Sequence, residues 1–199
     1  MSVPEWAWLL VDLAAAQAAG DAHGMDAAFE RLQAAGRQSE TEEAVLQSYL
    51  FLGFPAAIET FRRWRRHGVQ TPEAAAEGPE LWRKRGEEVC AAVYDRSYEN
   101  LRHNMARLHP DLDRCMVEEG YGKVLGRPAL SLDIREMLIV AMLVVQGARR
   151  QLRSHLRGAI NVGVEPSDVE TVIDRAAAFA PAANVALAEK LWSVVLAKA

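Results

Sequence analysis

The feature that most constrains this chain is a spacing that occurs twice. Displaced by 127 positions, Gly147 falls on Gly20, Ala141 on Ala14 and Gly163 on Gly36. Past that glycine the displacement becomes 126, and Pro181-Ala182-Ala183 falls on Pro55-Ala56-Ala57, which aligns AAFAPAANVAL with FLGFPAAIETF. A repeat of this length implies two related half-units, each built from elements that need a partner for their apolar faces.

Those elements are helices. Ala, Leu, Glu, Arg and Gln dominate, and no stretch alternates apolar with polar residues over the length of a strand. Gly20, Gly36, Gly68, Gly126, Gly147 and Gly163 supply stops; Pro4, Thr41, Pro72, Ser131 and Pro166-Ser167-Asp168 supply starts. The reading is an all-α protein with helices over 4–19, 24–35, 40–67, 79–107, 110–122, 131–146, 149–162, 166–179 and 182–198. The expected organisation is a first half-unit at 4–67, middle helices at 68–130 and a second half-unit at 131–198, with the halves packed about a pseudo-twofold axis.

Composition narrows the function classes. Half of the 199 residues are hydrophobic, and 23 basic against 27 acidic side chains give a net charge of −4. Such a balance argues against a nucleic-acid partner held by phosphate contacts, and the runs around Arg62–Arg66 and Arg83–Arg85 read as solvated helix faces. Cys90 and Cys115 match no zinc, haem or CxxC spacing, so no metal site or dithiol is expected. The N-terminal apolar stretch lacks a basic start and is interrupted by Glu5 and Asp12, and Met137–Val145 is too short to span a bilayer. The expectation is a cytoplasmic protein with a small-molecule substrate and no membrane partner.

Chemistry concentrates in the second copy. In the 127-residue register His155 corresponds to Ala28 and Glu136 to Leu9, so both ionisable groups are missing from the first copy. Glu136 begins the helix bearing MLIVAMLVV, and the following helix places Gln151, His155 and Ala159 on one face at i, i+4 and i+8. Antiparallel helices joined at Gly147 would bring carboxylate and imidazole together, fixing the tautomer of a general acid or base. On residue chemistry alone, His155 among Arg149, Arg150, Arg153 and Arg157 also reads as a surface or interface residue, and Glu136 as a helix-dipole partner. Arg127 and Arg135 read as substrate-carboxylate ligands or as structural ion pairs, the latter favoured. Tyr94 and Tyr121 read as pocket donors or as core, and Trp6, Trp8, Trp64, Trp82 and Trp192 as packing or subunit-contact residues.

The segment YGKVLGRPALSLDIREMLIVAMLVVQGARRQLRSHLRGAINVGVEPSDVETVI resembles the carboxymuconolactone decarboxylase family, part of an AhpD-like superfamily that includes thiol-dependent alkylhydroperoxidases. The likeness covers about 86–192, with GEEVCAAVYDRSY upstream and APAAN downstream, while 5–64 is similar to the family's half-unit ending in YLFLGFPAA. It implies an AhpD-like helical fold and a homo-oligomer, expected here as a trimer or dimer rather than a hexamer. It also implies a cofactor-free decarboxylation of a small carboxylated lactone, with His155 as acid, Glu136 orienting it, and Arg127, Arg153 and Tyr121 binding substrate. The peroxidase branch places CxxCxxxH before that histidine; Ala148 and Gln151 stand at the two cysteine positions here, so peroxiredoxin-type activity is the alternative reading. A noncatalytic oligomeric binding protein is the third.

Overall fold

The computed structural model describes residues 3–74 and 76–198. In chain order the α-helices are α1 (Glu5–Ala19), α2 (Ala22–Ala34), α3 (Gln38–Arg66), α4 (Pro79–Tyr94), α5 (Tyr98–Leu108), α6 (Pro110–Cys115), α7 (Leu132–Gln146), α8 (Arg149–Asn161), α9 (Pro166–Ala177) and α10 (Ala182–Leu196). A 3-10 turn, Asp95–Ser97, follows α4, and a π-helix, Met116–Leu125, continues α6. No strand occurs among the described residues, so the fold is all-α, in agreement with an AhpD-like arrangement. The chain divides into two compact units, one of 1–71 with 129–199 and one of 72–128.

Within the first unit, secondary structure follows the sequence repeat. The bounds of α7 lie 127 residues beyond those of α1, and the bounds of α8 lie 127 beyond those of α2. Both leading helices close on a left-handed glycine, Gly20 at φ 68° and Gly147 at φ 65°, a conformation that burdens any residue with a Cβ. The second of these turns is also covered: the side chain of Asn184 donates to the carbonyl of Val145 at 2.8 Å and fills the space a Cβ on Gly147 would need. A further correspondence was not read from the sequence. The indole of Trp64 donates to Glu42 at 2.6 Å and that of Trp192 to Glu170 at 3.1 Å, each glutamate 22 positions before its tryptophan.

The centre of this unit is α7. Every residue from Ile134 to Val145 is buried, which is the pattern of a helix surrounded by others. Its equivalent α1 packs against it, as do α3, α8, α9 and α10. At about 25 cal/mol per Å² of apolar surface, burying side chains such as Leu138, Ile139, Met142 and Leu143 stabilises the unit by roughly 1.5–3 kcal/mol each.

In α3, the expected single helix is broken. Gly53 has φ 81° and ψ 163°, which no helical residue adopts, and Pro55 follows it at the start of the second segment. By length and composition α3 is the one described helix that could cross a membrane, and this break divides it into two segments too short to do so.

The second unit departs further from sequence expectation. The helix expected over 79–107 is interrupted where Asp95 takes φ 45°, and the one expected over 110–122 becomes a short α-helix running into the π-helix. Here α4 and the π-helix meet backbone to backbone. A Cβ on Gly86 would lie 2.0 Å from the Val117 carbonyl oxygen, and one on Gly122 would lie 1.8 Å from that of Trp82. Glu77 closes the start of α4 by accepting from Arg85 at 2.7 and 2.9 Å and from the Trp82 indole at 3.1 Å. Its carboxyl is held below the ordinary glutamate value, chiefly by the Arg85 hydrogen bonds against the opposing effect of burial, with smaller contributions from Trp82 and from the charges of Arg85 and Arg127.

Candidate active site

Position along two antiparallel helices brings the chemical pair together. Glu136 precedes Gly147 by about three turns and His155 follows it by about two, so the hairpin sets them at similar heights. His155 Nδ1 lies 2.8 Å from Glu136 Oε2. Both residues are buried, Glu136 at 0% exposure and His155 at 5%. That burial removes the reading of His155 as a surface residue and of Glu136 as a solvated helix-dipole partner.

The inward face of α8 is formed by Leu152, His155, Leu156 and Ala159, at i, i+3, i+4 and i+7. Gln151, expected on the same face, is exposed one turn earlier. An ionised carboxylate can only accept, so Nδ1 donates to Glu136 and proton exchange falls to Nε2. The other carboxylate oxygen, Oε1, is buried and has no hydrogen-bond partner in the structure.

A third side chain reaches the imidazole from the other half-unit. The ring of Phe51 on α3 stands edge-on to His155, centroids 5.5 Å apart and planes at 83°. Sequence reasoning did not identify Phe51, because nothing local to FLGF shows which helix that corner meets.

Beside the pair, Arg135 is fully buried and bridges α7 to α3. It donates to Glu43 at 2.8 Å, to Gln47 at 3.0 Å and to the Leu130 carbonyl at 3.3 Å, while Gln47 returns a bond to the Arg135 carbonyl at 3.3 Å. Arg135 therefore serves as a structural tie that fixes the N-terminal part of α7, where Glu136 sits. Glu43 and Gln47 were not singled out in the sequence; a polar row of Thr41, Glu43, Gln47 and Ser48 buried on one helix is visible only once α3 is packed.

The expected substrate ligands are placed differently. Arg153 is exposed, and two positions from His155 the helical period turns it about 200° from the buried face. Arg153 is thus not brought to the pair, which corrects that assignment. Tyr121 and Arg127 belong to the second unit. There Tyr121 is buried edge-on to Tyr94, centroids 6.0 Å apart, and the half-buried Arg127 acts on Glu77. Cys90 is buried and Cys115 exposed.

Known proteins resemble part of this chain. Residues 110–190 match the model of the Carboxymuconolactone decarboxylase family, and both Glu136 and His155 lie inside the match. The chain is 29% identical over 107 residues to 4-carboxymuconolactone decarboxylase of Acinetobacter baylyi, covering 52% of this chain and 80% of that protein. It is 29% identical over 133 residues to Peroxisomal protein 2 of Schizosaccharomyces pombe, covering 64% of this chain and 62% of the relative. With Peroxisomal protein 2 of Saccharomyces cerevisiae the identity is 32% over 82 residues, 41% of this chain and 29% of the relative. The chain spans less than two thirds of the length of either peroxisomal relative. Residues 110–190, which hold the buried imidazole and its carboxylate, are thus the part of the chain that is similar to the carboxymuconolactone decarboxylase family.

Proposed function

We propose that the chain is a lyase that decarboxylates a small carboxylated lactone or related carbonyl compound, with His155 as the proton donor. The observation that carries this reading is the buried 2.8 Å contact between His155 Nδ1 and Glu136 Oε2. When the bond from ring carbon to carboxylate breaks, carbon dioxide leaves and its electron pair enters the conjugated carbonyl as a dienolate. The imidazolium form of His155, its Nδ1–H donated to Glu136, then gives its Nε2 proton to that carbon and becomes the neutral Nδ1–H imidazole, which takes a proton back from solvent. Glu136 orients the ring and stabilises its protonated form, so the pair acts as a general acid.

The hydroperoxidase reading finds less support. Its dithiol positions are occupied by Ala148 and Gln151, and Cys90 is enclosed in the second unit's core. The family resemblance favours a homo-oligomer, and we retain a trimer or dimer as part of the proposal. A cytoplasmic setting, expected from the sequence, stands beside the peroxisomal one carried by the names of two relatives.

The test is direct. Purified protein is mixed with 4-carboxymuconolactone in deuterium oxide, and the product is followed by NMR. The expected result is an enol-lactone carrying one solvent deuterium at the protonated carbon; recovery of unchanged lactone would refute the lyase reading.

A further inference from the structure

The motif FLGFPAA is not absorbed by the proton transfer between Glu136 and His155, yet its backbone is the most unusual in the first unit. Gly53, at φ 81° and ψ 163°, occupies a region that is essentially restricted to glycine. A break there removes helical partners from the carbonyls of the preceding turn. The carbonyl of Phe51 accepts instead from Gln146 Nε2 at 3.1 Å, and Gln146 is the last residue of α7, the helix that carries Glu136. On the other side of the corner, Tyr49 and Phe54 stack with centroids 4.7 Å apart and planes at 18°. The corner is therefore held from two directions, and its outcome is the placement of the Phe51 ring against His155.

Packing alone does not account for that ring. Phe29, a core phenylalanine of the same half-unit, is 0% exposed, whereas Phe51 is only half-buried beside an imidazole that is almost wholly enclosed.

We propose that Phe51 is a positioning and specificity-determining residue of the site, an inference that rests on the lyase reading for its substrate. Glu136 restrains the imidazole along the Nδ1 direction; the edge-on phenyl ring restrains the plane in which it turns. The open part of the ring offers a flat apolar surface beside the reacting nitrogen, which favours a planar, unsaturated ring over a puckered, saturated one. An unsaturated lactone has that shape, and its conjugation is also what accepts the electron pair released with carbon dioxide.

Phe51→Leu keeps an apolar side chain and removes the ring, while Phe51→Tyr restores it. In NMR spectra without substrate, the His155 ring protons of Phe51→Leu are expected to move away from their wild-type shifts, since the phenyl ring current is lost, and Phe51→Tyr to bring them back. With 4-carboxymuconolactone, KM of Phe51→Leu should rise by up to about tenfold, the equivalent of an aromatic contact, with a smaller change in kcat. Wild-type His155 shifts in a folded Phe51→Leu overturn the proposal whether or not the lactone is turned over. Moved shifts, restored by tyrosine, in a protein that does not consume the lactone refute the lyase reading and sustain Phe51 as the wall of the imidazole.

Discussion

Glu136→Gln is expected to lower kcat for 4-carboxymuconolactone by about 10²–10⁴-fold while KM changes little. The substitution preserves shape and burial but removes the charge. A glutamine can present either its oxygen to an Nδ1–H or its amide to an Nδ1 lone pair, so the tautomer with the proton on Nε2 becomes as accessible as the other. The imidazolium also loses the negative charge 2.8 Å away that stabilises it between protonation steps. Steady-state kinetics beside a circular dichroism spectrum separates this from unfolding. A folded Glu136→Gln with kcat within twofold of wild type would mean that the carboxylate does not govern the proton.

The largest expected effect on stability belongs to the neighbouring residue. Arg135 is completely enclosed, and its guanidinium balances Glu43, which is itself buried. Arg135→Leu removes the guanidinium and leaves that carboxylate in an apolar setting without it, at a cost of about 3–5 kcal/mol. Gln47 Oε1 loses the guanidinium as well, while its amide keeps the backbone carbonyl of residue 135. Replacing both ends, Arg135→Leu with Glu43→Leu, removes the charge with its counterion and should recover most of the loss, because a buried ion pair itself contributes little against apolar packing. Urea unfolding of the two single variants and the double variant measures this coupling. A cost below about 1 kcal/mol for Arg135→Leu would show that the tie does not hold α7 against α3.

What the sequence reveals of this fold follows the range of the forces involved. Helix ends set by a local stop, such as Gly20 and Gly147, were readable because a left-handed glycine is a property of two or three adjacent residues. The break at Gly53 has a local signal in Gly53 and Pro55 that the reading of one helix over 40–67 overrode, and the corner is also held by Gln146, 95 positions from Phe51. Asp95 at positive φ was not read from the sequence, nor was the π-helix at Met116–Leu125, whose backbone meets α4 at Gly86 and Gly122.

The pairing of Glu136 with His155 was legible for a different reason. The repeat provides an internal reference in which Leu9 and Ala28 show what those positions hold when only packing is required. No such reference existed for Arg135, Glu43 and Gln47, whose significance depends on the meeting of α3 and α7. Arg153, named from the resemblance as a substrate ligand, lies exposed, turned away from the buried face of α8.

The measurement closest to the central claim is the rate of 4-carboxymuconolactone loss in His155→Ala beside wild type, with the folded state of each confirmed by its melting curve. The account predicts that the variant retains its fold and loses at least about 100-fold in kcat, the contribution of a positioned general acid. A folded His155→Ala that consumes the lactone at the wild-type rate would contradict it.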